Sequence, residues 1–245
     1  MAITGRRIAD EGIYLKEDRY DRPKEYFKLI GRRMAEDLRP GDRDVLDVGC
    51  ATGELIHYLK GRWPGLAYTG VDVSARMIKQ ARARLPDCRF EVGSLTAARG
   101  LGTRRFDVVI CAGTLQIFDD LARPMARLAR VVRPGGRLYI FTIVNWGSVD
   151  LITRYRDRRH RPGVWQKGWN IFSREAFEEA IRAAGRRARL RWDDFRMSFS
   201  LAAQKNPMRT WTVPLGREPF QLVNGAGMII DLALLTARFS QRQVR

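Results

Sequence analysis

The nine residues 45–53, VLDVGCATG, constrain the fold of this chain more than any other stretch. A short apolar run that carries one acid leads into a glycine-punctuated turn and then into a helical pattern over 54–60. An open α/β sheet builds its ligand crevice from a strand, a tight turn and a helix in this order. Glycines at 49 and 53 permit backbone angles and close approaches that a side chain blocks. We therefore expect a ligand site at this turn.

The turn differs from the dinucleotide-binding fingerprint. That fingerprint is G-x-G-x-x-G, whereas position 51 is alanine and the spacing here is G-x-x-x-G. An acid, Asp47, stands two residues before the first glycine. A carboxylate at that place suits a ligand with an ammonium group better than a pyrophosphate.

Strand and helix patterns alternate after this turn. The pattern predicts helices between successive strands and ends with strands six and seven. The predicted strands are 45–48, 66–73, 88–92, 106–111, 137–144, 187–195 and one within 229–239. Strands that alternate with helices of this length predict an α/β fold with a doubly wound, parallel sheet.

Composition limits the function classes. No apolar run approaches the ~18 residues of a membrane span, and no signal peptide is recognisable, so we expect a cytoplasmic protein. Three cysteines lack metal-ligand spacing and read as reduced thiols, and two histidines cannot form a metal cluster by themselves. The net charge of +18 favours polyanionic partners, which include nucleic acid and an anionic membrane surface. Arginines spread along the whole chain equally fit a solvated basic surface.

Five motifs in order resemble those of the class I S-adenosylmethionine (SAM)-dependent methyltransferases. They are VLDVGCATG, GVDVS, FEVGS, FDVVICAGTLQIFDD and LARVVRPGGRLYI, and together they cover about residues 42–144. The resemblance implies a Rossmann-like methyltransferase domain over 42–245 with SAM as its cofactor. It also implies that the sheet is mostly parallel with seven strands and that its last strand pairs antiparallel with strand six. Residues 1–41 are expected to form an N-terminal helical lid, and substrate-side insertions are expected at about 145–172 and 198–228.

The resemblance also implies the cofactor residues. Asp47 and the turn glycines are expected at the methionine half of SAM, and Asp72, which ends the second strand, at the ribose hydroxyls. The adenine is expected against Val73 and Met77, with its edge at residues 94–95. The complete predicted set is Asp47, Gly49, Cys50, Gly53, Asp72, Val73, Met77, Ser94, Leu95, Ala112 and Thr114.

The acceptor is harder to predict. The loop CAGTL after the fourth strand lacks the Asn/Asp-Pro-Pro-aromatic signal of nucleic-acid amino methylation and resembles the small-molecule branch. The segment 145–170 mixes tryptophan, asparagine and arginine, which suits an oxygen-rich ligand, and it loosely resembles methyltransferases of bacterial surface-polysaccharide gene clusters. A sugar or glycan-precursor hydroxyl is therefore the predicted acceptor. The predicted acceptor residues are Gln116, Asn145, Trp146, Arg154, Trp169 and Asn170.

Two general bases are candidates for such a hydroxyl acceptor. His160 is one of two histidines and lies in the overhanging segment, and Asp150 is the second candidate. Their structural alternatives are an exposed histidine and an ion pair with an arginine. Two other functions stay open: a SAM-binding protein without catalysis, and an RNA methyltransferase that uses the basic surface.

Overall fold

The computed structural model describes residues 3–4, 12, 14–16, 18–96, 101–156, 158, 165–204 and 209–241. The helices are α1 (Glu25–Asp37), α2 (Glu54–Arg62), α3 (Ala75–Arg84), α4 (Ala122–Val131) and α5 (Arg174–Ala183), with a 3₁₀ turn at Leu115–Ile117. The strands are β1 (Ile3–Thr4), β2 (Asp44–Val48), β3 (Ala67–Asp72), β4 (Arg89–Val92), β5 (Phe106–Ala112), β6 (Val132–Asn145), β7 (Arg154–Tyr155), β8 (Trp165–Lys167), β9 (Phe172–Ser173), β10 (Ala188–Phe195), β11 (Thr210–Leu215), β12 (Glu218–Asn224) and β13 (Ile229–Phe239).

One large sheet organises the fold. Its order is β11-β12-β13-β6-β5-β2-β3-β4, and β10 also pairs with β13. Strands β4, β3, β2, β5 and β6 run parallel, whereas β13 is antiparallel to both β6 and β10. The predicted doubly wound, mostly parallel sheet with an antiparallel last strand is confirmed. The sheet of the described residues is wider than predicted, with ten strands, because β9, β11 and β12 add to the seven expected.

Helices cover both faces of this sheet. On one face α4 and α5 bury residues such as Leu128 and Phe177, and on the other α1, α2 and α3 bury residues such as Ile30 and Leu59. Such a two-sided cover explains why the central strands are almost continuously apolar. None of the described helices is both long and apolar enough to cross a membrane.

Local signals in the sequence begin the helices. The Ser74 hydroxyl accepts a hydrogen bond from the Met77 amide at 3.2 Å, and the Ser173 hydroxyl accepts one from the Ala176 amide at 3.2 Å. Both serines are N-caps, which satisfy amides that have no partner inside the helix. Phe172 and Phe177 flank the second cap with ring centroids 6.1 Å apart, as a hydrophobic staple requires.

The segments predicted as insertions contain short strands. Within 198–228, β11 and β12 form an antiparallel hairpin that continues the sheet beyond β13. Within 145–172, β7 and β8 pair antiparallel, and β1 pairs with β8. The apolar run at 229–239 forms the strand β13, which is largely buried, as the sequence predicted.

Polar contacts fix α1 against the sheet. The Tyr139 hydroxyl donates to Asp37 at 2.9 Å, and the Arg33 guanidinium contacts the Asp193 carboxylate at 2.5 Å. At the other end of α1, Tyr26 stacks on Phe141 with ring centroids 4.6 Å apart. The helix is therefore anchored to β6 and β10, and its first turn lies over the carboxyl edge of the sheet. Its role as a lid stays a prediction.

Candidate functional site

A cavity of about 410 Å³ lies at the carboxyl ends of β2, β3 and β5. Its wall includes the turn after β2, the acid that ends β3 and the loop after β5. This is the place at which open α/β sheets bind ligands, because the loops of neighbouring strands diverge there. We call it the cofactor cavity.

The turn after β2 needs its glycine at position 49. Gly49 has a φ of +80°, and a Cβ at this position would collide with the Thr114 side chain. The Gly49 and Cys50 amides both donate to the Val71 carbonyl, at 2.7 and 3.1 Å. The turn is thereby pulled against β3, and the loop after β5 packs directly on it.

Gly53 acts in the same turn but outside the cavity wall. It begins α2 in a left-handed conformation with a φ of +89°. A Cβ there would come within 3.1 Å of the Phe90 ring, so glycine also allows the helix to approach β4.

The two carboxylates that the sequence predicted, Asp47 and Asp72, line the cofactor cavity. Asp47 is only 3% exposed, and burial, with a smaller contribution from Asp72, raises its pKa from 3.8 to about 7. Asp72 accepts hydrogen bonds from the Ala51 and Ser74 amides, each at 2.9 Å. A buried carboxyl beside a second acid is costly to ionise without a cation nearby. The cavity is therefore suited to a ligand that brings positive charge to Asp47.

The structure brings the sequence-predicted cofactor residues together. Ten of the eleven line the cofactor cavity, and Gly53 is the exception. Val73 lines it with 70% of its surface exposed, an unusual state for an apolar side chain that follows a core strand. An exposed apolar surface beside Asp72 provides a flat contact for an aromatic ring of a ligand.

Sequence reasoning missed one acid in this wall. Glu54 is the first residue of α2, is buried, and accepts a hydrogen bond from the Arg19 amide at 2.9 Å. Nearby, the Tyr20 hydroxyl donates to the Thr52 carbonyl at 2.5 Å, and burial, together with Glu54, raises the pKa of Tyr20 to about 12. The N-terminal segment is thus tied to the glycine turn. The sequence did contain a signal for Glu54, because an acid stands directly after the turn glycine Gly53.

A second cavity of about 410 Å³ adjoins the first. Tyr14, Lys24, Tyr26 and Gly113 line both cavities. The second cavity lies over the ends of β6, β10, β12 and β13, so its wall comes from parts of the chain far apart in sequence. We call it the acceptor cavity.

Two of the six predicted acceptor residues, Gln116 and Trp169, line the acceptor cavity. Gln116 is buried and donates its amide to the Gly113 carbonyl at 2.9 Å. Its side-chain oxygen is buried with no hydrogen-bond partner among the described residues. This orphaned acceptor lies where the two cavities meet, since Gly113 lines both.

Four predicted acceptor residues do not line the described wall of either cavity. Asn145 makes local bonds with Gly147 and Val149, and the exposed Trp146 packs edge-on against Trp192 with centroids 5.7 Å apart. These two side chains organise the start of the insertion and turn away from the described cavity walls.

The other two, Arg154 and Asn170, anchor the insertion to the loop after β5. Arg154 forms an ion pair with Asp119 at 2.8 Å, and Lys167 contacts the same carboxylate at 2.8 Å. Asn170 is fully buried, and its amide donates to the Phe118 carbonyl at 2.6 Å and to Asp119 at 3.1 Å. These hydrogen bonds join the insertion to residues 118–119, so the Asn170 side chain is used for a contact within the protein.

Of the two candidate bases, only Asp150 lies within the described residues. Asp150 accepts a hydrogen bond from the Ser173 amide at 2.6 Å and does not line the described wall of either cavity. It therefore braces the start of α5. Arg154, one arginine that could have paired with Asp150, instead forms its ion pair with Asp119. His160 lies outside the described residues.

The comparisons with known proteins agree with this geometry. A family model for a methyltransferase domain matches residues 45–136. A malonyl-[acyl-carrier protein] O-methyltransferase of Acetivibrio thermocellus is 31% identical over 118 residues, which are 48% of this chain and 42% of that protein. A trans-aconitate 2-methyltransferase of Rhodopseudomonas palustris is 37% identical over 133 residues, 54% of this chain and 48% of that protein. The chain thus spans about half the length of these curated relatives.

Solved structures share the fold over a longer range. A protein studied for the conversion of a disulfide bond into a thioacetal group during echinomycin biosynthesis has a TM-score of 0.58 and 22% identity, covering 95% of this chain and 92% of that one. SAM-bound CalS10, an amino pentose methyltransferase of Micromonospora echinaspora, has a TM-score of 0.53 and 18% identity, covering 93% and 94%. Identities this low carry the fold alone.

Proposed function

We propose that this chain, whose residues 45–136 match the methyltransferase-domain family, is a class I SAM-dependent enzyme that transfers a methyl group from SAM to a small acceptor, at oxygen. The family model covers residues 45–136, which include most of the residues that line the cofactor cavity. The names of the relatives include O-methyltransferases, which supports oxygen as the methylated atom.

One observation carries this proposal: the buried Asp47 beside Asp72 in a cavity with an exposed apolar Val73. SAM has an ammonium group and a sulfonium, a ribose with two hydroxyls, and an adenine ring. Asp47 fits the cationic amino-acid half, because a cation relieves the cost of ionising a buried carboxyl. Asp72 fits the ribose hydroxyls and Val73 with Met77 fits the adenine. The residues present therefore fit the cofactor.

The chain contributes binding and orientation to the reaction. The bound cofactor supplies a methyl group on a positively charged sulfur. Asp47, Asp72 and the glycine turn hold the donor half of the site, while Gly113 and Gln116 separate it from the acceptor cavity. Holding an acceptor atom near ~3 Å from the methyl carbon, in line with the breaking bond, supplies much of the rate enhancement.

A sugar or glycan-precursor hydroxyl is the finer acceptor proposal. Trp169 in the acceptor cavity supports it, since indole rings stack on sugar faces. The predicted bases do not add support, because Asp150 lies away from the described cavity walls and His160 lies outside the described residues. A cytoplasmic location stays a prediction.

Calorimetric titration with SAM tests the cofactor assignment. We expect saturable binding by the wild type, a loss of affinity of about tenfold or more in Asp72→Ala, and wild-type affinity in the control Asp87→Ala, whose carboxylate is exposed and pairs with Lys60. No binding by the wild type, or equal binding by Asp72→Ala, contradicts the proposal.

Turnover separates the alternatives. A SAM-binding protein without catalysis binds SAM but transfers no label to small acceptors. An RNA methyltransferase incorporates label into RNA, and its RNA affinity falls steeply with salt because counterions are released on binding.

A further inference from the structure

A third cavity lies at the edge of the sheet opposite to the cofactor cavity. It has a volume of about 240 Å³, and its described lining is Arg105, Ala126, Arg130, Ala184 and Arg186. Arg105 directly precedes β5, whereas Arg130 and Ala184 lie at the C-terminal ends of α4 and α5. Because the cofactor cavity lies at the other end of β5, roughly 20 Å of strand separates the two cavities. We call the third cavity the arginine cavity.

The three arginines of this wall use their hydrogen-bond donors unequally. Arg186 donates three hydrogen bonds, at 2.5, 2.7 and 3.2 Å, to backbone carbonyls within 129–133. Arg130 donates one long hydrogen bond, 3.4 Å, to the Gly102 carbonyl. The Arg105 guanidinium makes no hydrogen bond or ion pair with a described residue. Since each guanidinium carries five N–H donors, most donors of Arg105 and Arg130 are available to a ligand.

The positive charge of this wall is not balanced by an acid. No carboxylate is found among the described residues that line the arginine cavity. Asp107, the acid closest in sequence to Arg105, forms an ion pair with Arg133 at 2.6 Å instead. Burial, and after it the charge of Arg105, lowers the pKa of Arg186, so these two guanidinium groups are close enough to repel each other. A bound anion would offset this repulsion.

The helix ends explain only part of the cluster. A cation in the last turn of a helix is favourable, which accounts for Arg130, and the carbonyl bonds of Arg186 cap the end of α4. Neither reason applies to Arg105, which precedes a strand. The C-terminal ends of α4 and α5 disfavour an anion, but each amounts to about half an elementary charge. Three full positive charges outweigh them.

We propose that the arginine cavity binds a phosphate group; the proposal does not depend on the methyl transfer. The planar fork of a guanidinium matches two oxygens of a phosphate and forms charge-assisted hydrogen bonds with them. A phosphate ester carries about −1.5 to −2 charges at neutral pH and has three acceptor oxygens, so it can engage arginines from three directions. A carboxylate has one charge and two oxygens. Free phosphate, diphosphate and the phosphate head group of a lipid share this chemistry.

Calorimetric titration with inorganic phosphate and pyrophosphate, at constant ionic strength, tests the site in the full chain. We expect saturable binding at one site per chain, and Arg105→Ala to weaken it about tenfold or more, because a hydrogen-bonded charge is lost. Arg105→Lys keeps the charge without the fork, so an intermediate loss is expected. The control Arg123→Ala removes an exposed arginine at the other end of α4 and is expected to keep the wild-type affinity. No saturable binding, or equal weakening in Arg105→Ala and Arg123→Ala, overturns the proposal.

The melting temperature gives a second readout that a purely structural role would not produce. Without phosphate, Arg105→Ala is expected to melt no lower than the wild type, because the substitution removes a repulsive charge. Phosphate at ten times its Kd is expected to raise the melting temperature of the wild type by about 3–6 °C and that of the variant much less. A variant that melts several degrees lower in the absence of phosphate contradicts the inference, since Arg105 would then stabilise the fold itself.

Vesicles distinguish the two sources of the phosphate group. Phosphatidylcholine vesicles that contain phosphatidic acid are compared in flotation with vesicles that contain phosphatidylserine. Flotation with phosphatidic acid that Arg105→Ala abolishes and pyrophosphate displaces supports a lipid phosphate, whereas binding of soluble phosphate alone supports a free one. Flotation with both lipids that no variant changes reflects the net charge of +18, and together with no uptake of free phosphate it overturns the site. SAM affinity is expected to be equal in all variants, so failure of this site leaves the proposed function untouched.

Discussion

Asp47 makes a prediction that the structure allows us to work out. Its pKa rises from 3.8 to about 7 in the folded protein, chiefly through burial and then through Asp72. Between these two pH values the folded state holds a proton that the unfolded state has lost. The free energy of unfolding therefore falls as pH rises through this window. Above about pH 7 the folded protein carries the full cost of ionising buried Asp47, which is on the order of 4 kcal/mol.

Asp47→Asn removes this titration while keeping the size of the side chain. Between about pH 5.5 and pH 8.5, the unfolding free energy of the variant is expected to gain about 2 kcal/mol on that of the wild type. The reason is that about 1.5 pH units separate pH 5.5 from the pKa of Asp47 in the folded protein, and each unit contributes about 1.4 kcal/mol. For a chain of this length that is a growing difference in melting temperature of about 4–8 °C. Differential scanning calorimetry of both proteins across the pH range measures it.

Asp107→Asn is the matched control. Partial burial works to raise the pKa of Asp107, but hydrogen bonds from the Arg43 and Asp44 amides and from Arg133 hold it below its usual value. It stays ionised over the measured range, so its stability difference from the wild type is constant. Parallel pH profiles of the wild type and Asp47→Asn would refute the reasoning.

The cofactor adds a second readout for Asp47. An ammonium group next to the carboxylate favours its ionised form. We expect saturating SAM to stabilise the wild type more at about pH 8.5 than at about pH 5.5, and to stabilise Asp47→Asn equally at both. If SAM stabilised the wild type equally at both pH values, Asp47 would not interact with the ammonium group of the cofactor.

Three further predictions follow from particular contacts. Gly49→Ala is expected to cost about 1–3 kcal/mol of unfolding free energy because of its positive φ and its collision with Thr114, and Gly49→Ala/Thr114→Ala to recover part of it; chemical denaturation measures both, and additive effects would contradict the contact. Ser173→Ala is expected to cost about 1 kcal/mol by the loss of an N-cap, read as a lower denaturation midpoint with an unchanged slope. Asp119→Asn is expected to speed hydrogen exchange over 151–173 while SAM affinity is kept, because three side chains of that segment converge on its carboxylate; unchanged exchange would show that other contacts hold the insertion.

The cofactor half of the site was predictable from the sequence because its information is local. Two glycines two and six residues after an acid, and a second acid at the end of the next strand, specify a turn and two carboxylates at one edge of a parallel sheet. The caps at Ser74 and Ser173 are equally local, since each bonds an amide three residues onward. The resemblance to a known family rests on the same short motifs.

The insertion shows why polar residue types do not reveal their partners. Arg154 and Asn170 suit a polar ligand as well as they suit a loop anchor, and only the position of Asp119 directs them to the protein. The number of strands was underestimated for a similar reason. The β11–β12 hairpin joins the sheet through β13, and a pairing with a later strand cannot be read from a proline-containing excursion alone.

The sequence by itself determined the fold class, the positions of the central strands along the chain and the two acids of the cofactor cavity, because hydrophobic periodicity and turn chemistry act over a few residues. Only the tertiary structure decided the burial that raises the pKa of Asp47, and only it assembled the acceptor cavity. Tyr26, Phe141, Phe195 and Leu232 meet there from positions about two hundred residues apart at the extremes. Contacts of that range depend on the order of strands in the sheet, so the chemistry of the acceptor wall appears only once the sheet is formed.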